Sequence, residues 1–272
     1  MALNENDAVK LAQTIAAQFA EIGQVEAVAL GGSLAAGRAD ALSDIDLYVF
    51  VKGEIPVETR AALIEPRASH LQLDNRFWEL EDYWIEKGSG IKVEAIYRDP
   101  DWMTNYLHNL FEENRAEGFS TALWHSIVVS QNLFDRDGWF ADLQKTANAP
   151  YPDALAEKLI GDNFPKLRGS MAALPNQIKV SVRREDWRNV LHDIHVLLDT
   201  YFTVLFALNR VPHPGGKRQL AYAETLDLTP ENMAEDVNGL AVGFEQNTVV
   251  KVNKFVDRLE TLLSEQGQLP NA

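Results

Sequence analysis

The sequence predicts an α+β protein. A small mixed sheet with flanking helices, residues 1–118, is followed by an all-α helical bundle, residues 119–272. Two observations carry this prediction. Apolar runs of strand length stand at 25–30 (VEAVAL), 45–52 (IDLYVFVK) and 90–98 (GIKVEAIYR), each bordered by Gly, Asp, Ser or Pro, as strands between turns are. After Pro100 the apolar residues recur at helical spacing in segment after segment.

The elements follow in order. Val9, Ala12, Ile15, Ala16, Phe19 and Ile22 lie on one helical face, and Gly23 supplies a stop. The strand 25–30 runs into a Gly-Gly-Ser turn and a short helix through Leu34 to Gly37; a second strand begins near Asp44. A helix over 57–64 precedes Pro66. The segment FWELEDYWIE, 77–86, mixes aromatics and acids. It reads either as a wall that stacks on a cationic sugar or as a helix face packed on the sheet. The third strand, 90–98, ends at Asp99-Pro100. Helical segments follow near 102–117, 120–134, 153–173, 185–210, 230–243 and 245–266, joined by the turn-rich stretches DRDG, NAPYPD and VPHPGG. The domain boundary falls between 100 and 150; 118/119 divides the two parts, and 147–152 is the clearest loop.

Chemistry concentrates in residues 31–46, GGSLAAGRADALSDID. Ten residues separate Ser33 from Asp44. Side chains alternate along a strand, so Asp44 and Asp46 share a face while Ile45, Leu47 and Val49 fill the other. Two adjacent carboxylates on a dry strand repel. A divalent cation relieves that conflict, and oxygen ligands favour Mg2+ or Mn2+ over zinc. Gly31 and Gly32 allow a backbone to approach phosphate, and Ser33 offers a hydroxyl and an N–H. Glu94 is the lone acid within the third apolar run, where burial demands a partner. Lys217 and Arg218 follow the Pro- and Gly-rich turn 211–216 and could contact a triphosphate. His192 and His195 stand three apart near Asp193 and Asp199; this spacing suits either a metal or hydrogen bonding inside a bundle.

The pattern GGS, ten residues, then DID resembles the signature of the DNA polymerase β-like nucleotidyltransferase superfamily, and within it the bacterial aminoglycoside and lincosamide nucleotidyltransferases. That resemblance implies an N-terminal α/β catalytic domain and a C-terminal helical domain that covers the nucleotide and builds the acceptor pocket. It implies Asp44 and Asp46 as metal ligands, with Glu94 completing the metal site or acting as general base; both roles stay open. Gly31, Gly32 and Ser33 would hold phosphate, with Ser43 and Lys217 as secondary contacts. The implied cofactors are Mg2+ (or Mn2+) with ATP or another nucleoside triphosphate as co-substrate. The implied reaction transfers AMP, or another nucleoside monophosphate, to a hydroxyl of a small molecule. The alternatives are a protein-AMPylating regulator of the toxin–antitoxin type and a non-catalytic nucleotide sensor. The arginine-to-histidine spacing of the associated ribonucleases fits Arg188 and His192 poorly.

Composition narrows the partners. Forty acidic against 25 basic residues give a net charge of −15, which disfavours a phosphodiester backbone and favours a neutral or cationic small acceptor. No nucleic-acid partner is expected. The apolar stretch LLDTYFTVLFALN contains Asp199 and reads as too short to span a bilayer. The N-terminus shows no signal-peptide pattern, and cysteine is absent, so a cytoplasmic monomer or homodimer is expected.

Overall fold

The computed structural model describes residues 4–116 and 121–270, so the boundary expected at 118/119 lies outside the described residues. Two compact units emerge: Met1–His108 with Ser126–Ala149, and Asn109–His125 with Pro150–Ala272. The fold is α+β, as expected.

The first unit is built on six strands in the order β3-β4-β5-β2-β1-β6. These are β1 (Val25–Leu30), β2 (Ile45–Val51), β3 (Ala68–Asn75), β4 (Leu80–Glu86), β5 (Lys92–Arg98) and β6 (Gln131–Asp135). The pair β2–β5 is parallel and every other pair antiparallel. Helices α1 (Glu5–Ala20), α2 (Gly32–Ala35), α3 (Val57–Ile64), α4 (Pro100–Phe111), α5 (Thr121–Val129) and α6 (Trp139–Ala147) intervene. The first helix starts where the Asn4 side chain accepts the Asp7 N–H at 3.0 Å, a side-chain N-cap. Its buried stripe of Ala8, Ala12, Ile15, Ala16 and Phe19 joins Ile45, Leu47 and Val49 in one core. The apolar half of β2 is therefore consumed by packing, and its polar half is left to face the site.

Three of the six strands were not expected from sequence. The helical reading of 120–134 is corrected: α5 stops at Val129, and residues 131–135 form β6 against β1, with Leu30 opposite Gln131 and Ala27 opposite Asp135. Five residues are too few for periodicity to declare a strand beside a strong helix. The helical reading of 77–86 is corrected as well. Leu80–Glu86 is a strand, and its acids are bonded within the fold. Asp82, fully buried, accepts from Arg60 Nη1 at 2.5 Å, from Tyr97 Oη at 2.8 Å and from the Asp74 N–H at 2.8 Å. Glu86 accepts from Arg67 Nε and Trp84 Nε1, each at 2.9 Å. Phe77 and Trp78, 75% and 81% exposed, sit at the hairpin tip.

The second unit holds α7 (Asp153–Leu167), α8 (Leu174–Arg183), α9 (Trp187–Leu208), α10 (Gln219–Ala223), α11 (Met233–Ala241) and α12 (Thr248–Glu265). The helix expected over 185–210 is the 22-residue α9, and the apolar stretch noted in the sequence forms its C-terminal part. Among the described residues it is the one helix long and apolar enough to cross a membrane, and 61% of its most apolar window is buried inside the protein. Leu197, Tyr201, Val204 and Leu205 on it are fully enclosed, and it packs against α7, α8 and α12.

Arg60 is also fully buried, held between Asp82 and Asp74. Removing one partner of a buried pair leaves an uncompensated charge. Arg60→Met is expected to lower stability by about 3–5 kcal/mol, read from the urea unfolding midpoint; an unchanged midpoint would contradict this assignment.

Candidate active site

Asp44 closes the loop before β2, Asp46 is the second residue of that strand, and Glu94 lies on β5. In the parallel register Asp46 stands directly opposite Glu94. Val93 and Ala95, the neighbours of Glu94, are fully buried on the opposite face. The three carboxylates converge: one oxygen from each lies within 4.8 Å of the other two. Asp44 keeps 31% and Glu94 16% of its side chain exposed, so the cluster is partly desolvated yet reachable. Three hard oxygen donors with no imidazole or thiolate suit Mg2+ or Mn2+, and the donor set fits the ion implied by the sequence.

Two groups that the sequence did not flag complete the cluster. Lys92 lies two residues before Glu94, hence on the same face. Its Nζ stands 3.1 Å from Asp44 Oδ2 and 3.3 Å from Glu94 Oε2. Burial alone would lower the lysine pKa, but the hydrogen bond to Asp44 and the two negative charges outweigh it, and the net shift is upward. Tyr83 is the register partner of Glu94 on β4. Its hydroxyl donates to Glu81 and reaches Glu94 Oε1 at 3.3 Å. Burial first, then the Glu81 hydrogen bond and the Glu94 charge, push its pKa up, so the phenol remains a proton donor. Lys92 was detectable by spacing alone. Tyr83 was not, because its role depends on β4 being a strand.

The glycine turn is fitted against these carboxylates. Gly31 donates its N–H to the Asp46 carbonyl at 2.8 Å. Gly32 has φ +61°, and a Cβ built on it would fall 1.7 Å from Asp46 Oδ2. A Cβ on Gly31 would fall 2.4 Å from the Tyr48 ring. The sequence reading gave these glycines to phosphate approach; the structure adds that Asp46 and Tyr48 already fill the space a side chain would need. Ser33 Oγ donates to Ser43 Oγ at 2.9 Å, and Ser43 Oγ accepts the Asp40 N–H at 2.8 Å. Ser43 thus orients Ser33 from across the loop. The sequence pair Ser33 and Ser43 meets in space.

The remaining candidates belong to the second unit. Lys217 is exposed in the turn before α10, beside Arg218 at φ +58°. His195 Nε2 lies 3.3 Å from Asp199 Oδ2. Asp193 is buried and accepts from Asn189 Nδ2 at 2.9 Å. Among the described residues, Asp44, Asp46 and Glu94 are the group that could share a cation; the histidines of α9 do not form one.

Residues 12–113 match the family model described as a nucleotidyltransferase domain, a span that contains Asp44, Asp46, Glu94 and the glycine turn. The chain therefore carries a nucleotidyltransferase domain. No curated protein matches it. Among solved structures, it is similar to a nucleotidyltransferase-like protein from Exiguobacterium sibiricum 255-15 (13% identity, TM-score 0.46, 95% of this chain and 75% of that one). It is also similar to a CCA-adding enzyme in complex with ATP (10%, 0.32, 96% and 83%). A third is the STING-associated CdnE c-di-GMP synthase from Capnocytophaga granulosa (12%, 0.28, 97% and 82%).

The clash distance makes Gly32 a sharp test of the turn. Gly32→Ala is expected to displace Asp46 and weaken magnesium-triphosphate binding at least about tenfold, measured by calorimetry, with cooperative unfolding retained. Binding at the wild-type level would show that Asp46 does not depend on the turn.

Proposed function

We propose that this nucleotidyltransferase domain transfers a nucleoside monophosphate, AMP from ATP, to a hydroxyl of a small molecule. The observation that carries the reading is the convergence of Asp44, Asp46 and Glu94 against the Gly31–Ser33 turn. Asp44 and Asp46, with Glu94 as a third donor, would hold a divalent cation. Bound there with a triphosphate, it would neutralise and orient the phosphoryl oxygens. Backbone N–H groups of the turn and the Ser33 hydroxyl, steadied by Ser43, would hold the phosphate chain. The acceptor oxygen attacks the α-phosphorus, the new P–O bond forms as the α–β bridging bond breaks, and pyrophosphate leaves. Glu94 would also take the acceptor proton, and its hydrogen bonds with Tyr83 and Lys92 hold its carboxylate. Positioning and charge neutralisation then supply the catalysis. Lys217, which the sequence singles out, is proposed as a triphosphate contact.

The acceptor class rests on charge. A chain at −15 attracts cations and repels polyanions, so a cationic aminoglycoside or a lincosamide is a better acceptor than nucleic acid.

Pyrophosphate release with Mg2+, each nucleoside triphosphate and a panel of aminoglycosides and lincosamides tests this. Acceptor-dependent release is expected, with a loss of at least about a hundredfold in Asp46→Asn and Glu94→Gln. Glu94→Gln that still binds triphosphate would assign Glu94 as base. In the same assay, Lys217→Ala should raise the triphosphate concentration giving half-maximal release, and an unchanged value would remove Lys217 from the site. Absence of release with every acceptor, or release that survives Asp46→Asn, would refute the small-molecule transfer.

A further inference from the structure

The sheet face that carries Asp46 and Glu94 continues over β4 and β3, and there it forms an open depression. A cavity of about 470 Å3 opens on it, lined by His70, Gln72, Asn75, Tyr83, Ile85 and Lys92 among others. The register explains the grouping. His70 pairs with Ile85 and Gln72 with Tyr83, while Tyr83 pairs with Glu94 and Ile85 with Lys92. These residues therefore stand on the face of Glu94, while Leu71 and Trp84, which also border the cavity, pair with each other on the alternate positions. Two of the lining residues, Tyr83 and Lys92, also touch the carboxylate cluster, each reaching a Glu94 oxygen at 3.3 Å. The cavity thus begins where the proposed base ends.

We propose that this cavity is the acceptor subsite and that it takes a neutral or cationic hydroxylated ring of sugar or aminocyclitol size. The inference rests on the nucleotidyl-transfer reading and gives its acceptor a place and a chemistry. The volume lies in the range of small-ligand sites. His70 and Gln72 are exposed, and they present an imidazole and a carboxamide to the cavity. Asn75 is already fixed: its amide donates to Glu81 at 3.4 Å, and its oxygen accepts the Phe77 N–H at 3.1 Å. Imidazole and carboxamide groups both donate and accept, which matches the double character of a hydroxyl. Ile85 adds an apolar surface for the carbon face of a ring. Anions are opposed by Asp44, Glu81 and Glu94, and Lys92, the one lining cation named above, is already bonded to Asp44 and Glu94. A phosphodiester chain would need several uncommitted cations at this point, and the lining provides none.

Saturation-transfer NMR on the full chain, without metal or nucleotide, tests the site. The probes are 2-deoxystreptamine, D-glucosamine and myo-inositol, with ribose 5-phosphate as the anionic counterpart. At least one of the three uncharged or cationic rings should bind the wild type more tightly than the phosphate sugar. Gln72→Trp, which fills the cavity from the edge strand, should weaken that ring at least about tenfold. The double variant His70→Ala/Gln72→Ala should weaken it in the same direction without adding bulk. Binding of none of the rings, equal binding to both variants, or tighter binding of ribose 5-phosphate would overturn the subsite. A parallel magnesium-ATP titration separates the two readings: Gln72→Trp should bind triphosphate like the wild type. A wild type that binds rings but no triphosphate would sink nucleotidyl transfer and leave the ring site standing.

Discussion

The parallel pairing of β2 with β5 is the constraint on which the site depends. It sets Asp46 directly across from Glu94, and Asp44 joins them from the end of the loop. Three like charges within one small volume oppose folding unless something answers them. The structure answers with Lys92, whose ammonium lies between two of the carboxylates, and with the Tyr83 hydroxyl. Among the described residues this is the one group of carboxylates placed closely enough to share a cation. Everything else in the first unit keeps the strand pair in register: α1 seals the apolar face of β2, and the buried Arg60–Asp82 pair ties α3 to β4.

The glycine turn belongs to the same constraint. Asp46 can take its place because Gly32 has no Cβ, and Tyr48 lies against Gly31 for the same reason. The two glycines therefore serve the carboxylates as directly as they would serve a phosphate. Ser43 illustrates a related point: ten residues from Ser33 in sequence, it is bonded to it in space, and the loop between them is closed by its own hydroxyls.

Much of this was legible in the residues. Period-two alternation placed Asp46 opposite Leu47 and Ile45, and β1, β2, α3 and β5 fall close to their expected bounds. The Glu94 run was recognisable because a single acid among Val93, Ala95 and Ile96 has no place on a buried strand without a partner. The hairpin β3–β4 was not legible. Its acids, Glu81, Asp82 and Glu86, are buried, and Asp82 and Glu86 are paired with Arg60 and Arg67, distant in sequence, so polarity concealed a strand that long-range bonds sustain. Tyr83 was lost with it, and so was the cavity that β3 and β4 line. The strand β6 was hidden by the helix that precedes it.

The account turns on whether the three carboxylates act as one cation site shared with a triphosphate. Electron paramagnetic resonance of free Mn2+ during titration, with and without a non-hydrolysable ATP analogue, measures this directly in the wild type and in Asp46→Asn. One tight Mn2+ per chain that tightens further with the analogue, and weakens at least about tenfold in the variant, is the expected result. Mn2+ binding that is indifferent to both the analogue and the Asp46 substitution would contradict the site described here.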